Sequence, residues 1–108
     1  MSYPTLFTTP GLRDFAEAID TERRHLAKWG DQHHPDGTGD QQWRDAANYV
    51  RGEVDDAARA GRTTWNGILR EELFEALAES DPAKLRTELI QTAAVIAAWI
   101  SDLDRRTA

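Results

Sequence analysis

The 108-residue chain contains no cysteine, which excludes disulfides, thiolate metal sites and thiol catalysis. It has only four prolines and one methionine, and no strand-like alternation or internal repeat. Positive charge is scarce: 13 Lys and Arg stand against 19 acids, a net charge of −6. No basic block is present, so a nucleic-acid backbone is excluded as the expected partner. The longest apolar run, "AAVIAAWI" at 93–100, is far short of a membrane span. The opening "MSYPTLFTTPGL" lacks the basic start and apolar core of a secretion signal. These absences lead us to expect a cytoplasmic protein.

What is present suits one globular domain. Hydrophobic residues make up 40% and charged residues 30%, a balance that supports a modest core. Helical spacing runs almost throughout. A first helix is expected over roughly 10–29, with Leu12, Phe15, Ile19 and Leu26 on one stripe and Gly30 ending it. The polar segment "GDQHHPDGTGD", 30–40, reads as a loop longer than a simple connection needs. It is either a functional loop or a surface turn. A second helix is expected over about 41–60, capped by Asp40 and stopped by Gly61, with Trp43, Ala47, Val50, Val54 and Ala57 inward. A third starts after Thr63 or Thr64 and runs to about 79. In "SDPAK", Asp81 can cap a fourth helix and Pro82 fits its first position. That helix reaches about Arg105. A link of one or two residues between the last two makes them an antiparallel hairpin.

The third helix places acids where core is expected. On a wheel of about 100° per residue with Trp65 at zero, Ala76, Leu69, Leu73 and Ile68 mark the inner arc. Glu72 falls inside it, Glu75 at its edge, Glu71 further out, and Phe74 on the far side. On the fourth helix, Leu85, Leu89, Ile96, Ile100 and Leu103 define the apolar arc. Thr92 and Trp99 flank it, and Glu88 and Gln91 lie beyond them. Counted from Asp81, Glu72 and Glu75 are nine and six residues back, and Glu88 and Gln91 seven and ten forward. In an antiparallel hairpin these four side chains share one level. Three carboxylates with no base at that level repel, and a hard cation such as Mg²⁺ or Mn²⁺ relieves the repulsion. The competing reading is a solvated acidic helix face.

"EELFE", twelve intervening residues and "ELIQ" resemble the MazG-like all-α nucleoside triphosphate pyrophosphohydrolases, whose signature is EExxE, a spacer and ExxD. The match covers roughly 64–105, and "ERRHLAKWGDQHHPDG", 22–37, resembles a stretch upstream of the motif in small bacterial and phage members. Residues 38–63 match by helical character only. The resemblance implies a single four-helix domain over 1–108, completed by assembly into a homodimer or homotetramer. It implies metal ligands at Glu72, Glu75, Glu88 and Gln91, with Glu71 outside the ligand shell. Gln91 departs from the signature's aspartate, and a neutral amide is a poorer Mg²⁺ ligand.

The implied reaction converts a nucleoside triphosphate, expected to be a deoxynucleotide, into monophosphate and pyrophosphate. That activity suits nucleotide-pool cleaning or phage remodelling of a host pool. Lys28, Trp29 and His33 are candidate phosphate and base contacts; Trp29 could equally be a core anchor, and His33, like His34, has the competing and preferred reading of a solvated loop histidine. Arg62 and Arg70 are candidate phosphate contacts or surface ion pairs. Two other functions compete: a nucleotide-binding regulator weakened by Gln91, and a non-catalytic interaction module.

Overall fold

A computed structural model describes residues 9–107. The first eight residues of the opening read above as leaderless lie outside the described range. Among the described residues the chain is all-helical: α1 (Leu12–Leu26), a short 3-10 turn (Ala27–Trp29), α2 (Gln41–Arg59), α3 (Trp65–Leu77) and α4 (Pro82–Thr107). No helix there is long and apolar enough to cross a membrane.

Local chemistry explains the boundaries. Gly61 terminates α2 at φ 69°. Gly61 N–H donates to Ala58 O at 3.1 Å and Arg62 N–H to Ala57 O at 2.7 Å, the paired bonds of a Schellman stop. Thr64 caps α3 by accepting from Gly67 N–H at 3.0 Å, and Asp81 caps α4 by accepting from Lys84 N–H at 3.0 Å. Asp40 precedes α2 without a side-chain cap bond. The α3–α4 link is longer than expected, Ala78 to Asp81, because α3 ends at Leu77, two residues before the expected end.

The chain forms two compact units. One holds the described residues through Pro35 together with the chain from Ala97 on. In it a side chain at Gly11 would run into Ser101, so the start of α1 lies against α4 there. The amphipathic stripe of α1 is only partly covered: Leu12 and Phe15 are half-buried, while Ile19 and Leu26 are exposed.

The other unit, Asp36–Ile96, contains the functional candidates. Its core is thin and built mostly from small and medium-sized residues: Ala47 and Val50 of α2, Ala76 of α3, and Leu85 with Thr92 of α4. Trp43 packs on Phe74 with ring centroids 6.2 Å apart. Phe74 is thus covered by α2, although the wheel put it on the outer side, and Leu73, expected inward, is exposed. The reason is that α3 is apolar on more than one side, so its own periodicity does not choose the buried one. α4 also turns relative to expectation. Thr92 is buried while Leu89, Ile100 and Leu103 are exposed. Its covered face is therefore shifted toward Glu88.

The polar loop has a structural task in its second half. Gly39 N–H donates to Leu77 O at 2.9 Å, and the Thr38 hydroxyl donates to Glu79 O at 2.6 Å. The strap thus satisfies the Leu77 carbonyl, which the end of α3 leaves unpaired, and the Glu79 carbonyl of the link that follows.

Candidate functional site

Three carboxylates converge in the Asp36–Ile96 unit. Glu72 and Glu75, one turn apart on α3, and Glu88 on α4 place one oxygen each within 4.8 Å of one another. The i, i+3 spacing aligns the first two, and the cap at Asp81 starts α4 so that Glu88 meets them. All three are half-buried. Glu72 Oε2 and Glu88 Oε2 are each buried without a hydrogen-bond partner, an arrangement that costs free energy unless a proton or cation supplies what the protein does not.

The electrostatics follow. Burial, then the charges of Glu75, Glu88 and Glu71, push the Glu72 carboxyl above the usual range. Burial, then Glu75 and Glu79, push Glu88 up. Glu71 stands outside the trio. Burial, then Glu75 and Asp55, raise it against the opposing pull of Arg51.

One expectation is corrected here. The carboxylates are not without a base at their level, because Arg51 of α2 places Nη2 3.7 Å from Glu75 Oε1. A pattern confined to the α3–α4 hairpin could not reveal a residue from a third helix. The pair is beyond hydrogen-bonding distance. It sets a positive charge beside Glu75 and leaves the orphaned oxygens of the other two.

Beside the trio lies a cleft of about 430 Å³. Glu75, Glu79 and Glu88 line it from α3, the link and α4; Arg44, Asn48 and Arg51 line it from α2. The last three went unrecognised in the sequence, although their i, i+4, i+7 spacing is legible there and puts them on one helix face.

Gln91 is exposed, on α4 one turn beyond Glu88. Arg70 bonds Asn66 at 2.8 Å and pairs with Glu53 at 3.2 Å, a surface ion pair. Arg62 is exposed. Lys28, Trp29 and His33 belong to the other unit. There the Lys28 ammonium sits 5.2 Å from the Trp29 ring centroid. Trp29 is 65% exposed, which rules it out as a core anchor. His33 is exposed and lines a separate surface hollow with Arg23 and Leu26.

The donor set fits a hard divalent cation: oxygen ligands only, three carboxylates at chelating separation, two of their oxygens buried and unpaired. Comparison with known proteins found no matching family model, curated protein or solved structure.

Proposed function

We propose that this chain is a divalent-cation-dependent nucleoside triphosphate pyrophosphohydrolase of the MazG-like all-α kind, producing a monophosphate and pyrophosphate. The observation that carries this reading is the Glu72–Glu75–Glu88 trio with its two buried, unpaired oxygens, opening beside a cleft that also carries arginines. The two buried, unpaired oxygens favour this reading over a solvated acidic face.

In this reading Glu72, Glu75 and Glu88 hold Mg²⁺ or Mn²⁺, and the resemblance adds Gln91, one turn beyond Glu88 on α4, as a neutral fourth ligand. When bound, the cation supplies positive charge against the negative charge growing on the phosphate oxygens. Glu71 orients the attacking water and accepts its proton. Burial weakens its acidity, and a weaker acid has a conjugate base better matched to proton abstraction near neutral pH. The exposed apolar residues of α4, Leu89, Ile90 and Leu103, support assembly into a homodimer or homotetramer.

The test is pyrophosphate release from a panel of ribo- and deoxynucleoside triphosphates with Mg²⁺, with Mn²⁺ and with chelator. Metal-dependent release supports the enzyme and ranks the bases. A second reading, a nucleotide-binding protein without turnover, is favoured by the neutral, exposed Gln91. It predicts metal-dependent nucleotide binding with no release, and recovery of release in Gln91→Asp.

A further inference from the structure

The α2 wall of the cleft differs in charge from the carboxylate wall. Arg44, Asn48 and Arg51 fall within an arc of about 60° on the helix, and all three line the cavity with Glu75, Glu79 and Glu88. The two arginines are held differently. Arg44 is fixed at the loop strap: Nη1 donates to Gly39 O, and Nη2 donates to Gln41 Oε1 at 2.8 Å. Arg51 is held loosely. Its Nη1 donates to Asn48 Oδ1 at 3.0 Å, its Nη2 lies 3.7 Å from Glu75 Oε1, and its side chain is 47% exposed. A guanidinium carries five donors in a planar fork that matches phosphate oxygens, and these two neighbours occupy few of them.

Glu75 belongs both to the carboxylate trio and to the pair with Arg51. A cation on the trio and the guanidinium therefore compete for one carboxylate. The cation removes the attraction that holds Arg51 on Glu75 and adds repulsion in its place, which leaves the fork available to a ligand in the cleft.

We infer that Arg51, with Asn48 and Arg44 beside it, is the anion-contacting wall of the cleft, resting on Glu75 before a divalent cation binds and turning to the phosphate oxygens of a polyphosphate afterwards. This rests on the metal-dependent reading above and adds to it a coupling between cation and anion through one side chain. By linkage the coupling is reciprocal, so the anion tightens the cation as much as the cation tightens the anion.

The experiment is Mn²⁺ titration of the full chain, followed by electron paramagnetic resonance of the free ion. Calorimetric titration with the Mn²⁺ complex of inorganic pyrophosphate follows. Both are run on wild type, Arg51→Gln and Arg51→Lys, with circular dichroism to confirm the fold. Without pyrophosphate, Arg51→Gln binds Mn²⁺ about threefold tighter, because a partly screened positive charge has left the carboxylates. The same variant binds the pyrophosphate complex about tenfold more weakly, the loss of roughly one charge-assisted bond. Arg51→Lys keeps the wild-type Mn²⁺ affinity and recovers only part of the pyrophosphate affinity, since an ammonium lacks the fork. An arginine that merely ties α2 to α3 would alter thermal stability and leave both affinities alone. That result, with Mn²⁺ still bound by wild type, overturns this inference and leaves the metal reading standing. Failure of wild type to bind Mn²⁺ overturns both.

Discussion

The hydroxyl of Thr38 donates to the backbone carbonyl of Glu79, 41 residues away, at 2.6 Å. This bond, with Gly39 N–H to Leu77 O at 2.9 Å, closes the end of α3 with a segment from the far side of α2. The link that follows α3 carries Glu79 into the cleft wall, so the strap sets backbone close to the site without contributing a ligand.

Gly39 should therefore be intolerant of any side chain. Its φ is 88°, and a Cβ would stand 2.6 Å from Ser80 Cβ and 3.0 Å from Ser80 Cα. We expect Gly39→Ala to cost about 2–3 kcal/mol, combining left-handed strain with overpacking. Urea unfolding measures it. A cost below about 0.5 kcal/mol, within the scatter of ordinary surface substitutions, would mean the strap does not dock as described.

Gly52 provides the opposite case. It lies inside α2 with nothing within 4 Å of a built Cβ. Gly52→Ala should raise stability by about 0.5–1 kcal/mol through reduced freedom of the unfolded chain. A rise in melting temperature of a few degrees is the expected readout.

Phe74 and Leu73 test which side of α3 is covered. Phe74 packs on Trp43, whereas Leu73 is exposed. Phe74→Ala should cost about 2–3 kcal/mol, a partly buried version of the usual aromatic truncation. Leu73→Ala should cost under about 1 kcal/mol in the monomer. Equal costs in dilute protein would contradict the orientation of α3.

Glu72 links stability, pH and metal. Its raised pKa, like those of Glu71 and Glu88, means the folded protein binds more protons than the unfolded chain in a window starting at the ordinary glutamate value and ending at the raised one. Stability contributed by these groups is greatest below that window and falls as pH rises through it. In chelator, Glu72→Gln should flatten this dependence and raise neutral-pH stability by at most about 1 kcal/mol once solvent screening is allowed for. With Mg²⁺ or Mn²⁺ the order should reverse, because wild type gains stability from binding and the variant has lost a ligand. Thermal melts across pH, with and without metal, decide it; identical metal shifts in both proteins would remove Glu72 from the site.

Cation affinity should itself rise with pH over the same window, since protonated carboxylates do not ligate and binding must release protons. Calorimetry in two buffers of different ionisation enthalpy counts those protons. A count of zero throughout the window would show that the raised carboxylates are not the ligands.

Much of this protein was legible locally. The helices, the caps at Thr64 and Asp81, the stop at Gly61 and the pairing of Glu72 and Glu75 with Glu88 all follow from periodicity, capping chemistry and residue counting along a hairpin. These depend on neighbours within a few positions, and the sequence states them directly. Tertiary structure alone decided which side of α3 and α4 is covered, because both helices carry apolar residues on more than one face and only a packing partner breaks the tie. It also decided that α2 brings Arg51 to Glu75 and the Arg44–Asn48–Arg51 face to the cleft, and that Thr38 and Gly39 close α3. Those contacts join residues 24 to 41 positions apart, and no local pattern encodes which distant helix will supply a charge or a hydrogen bond.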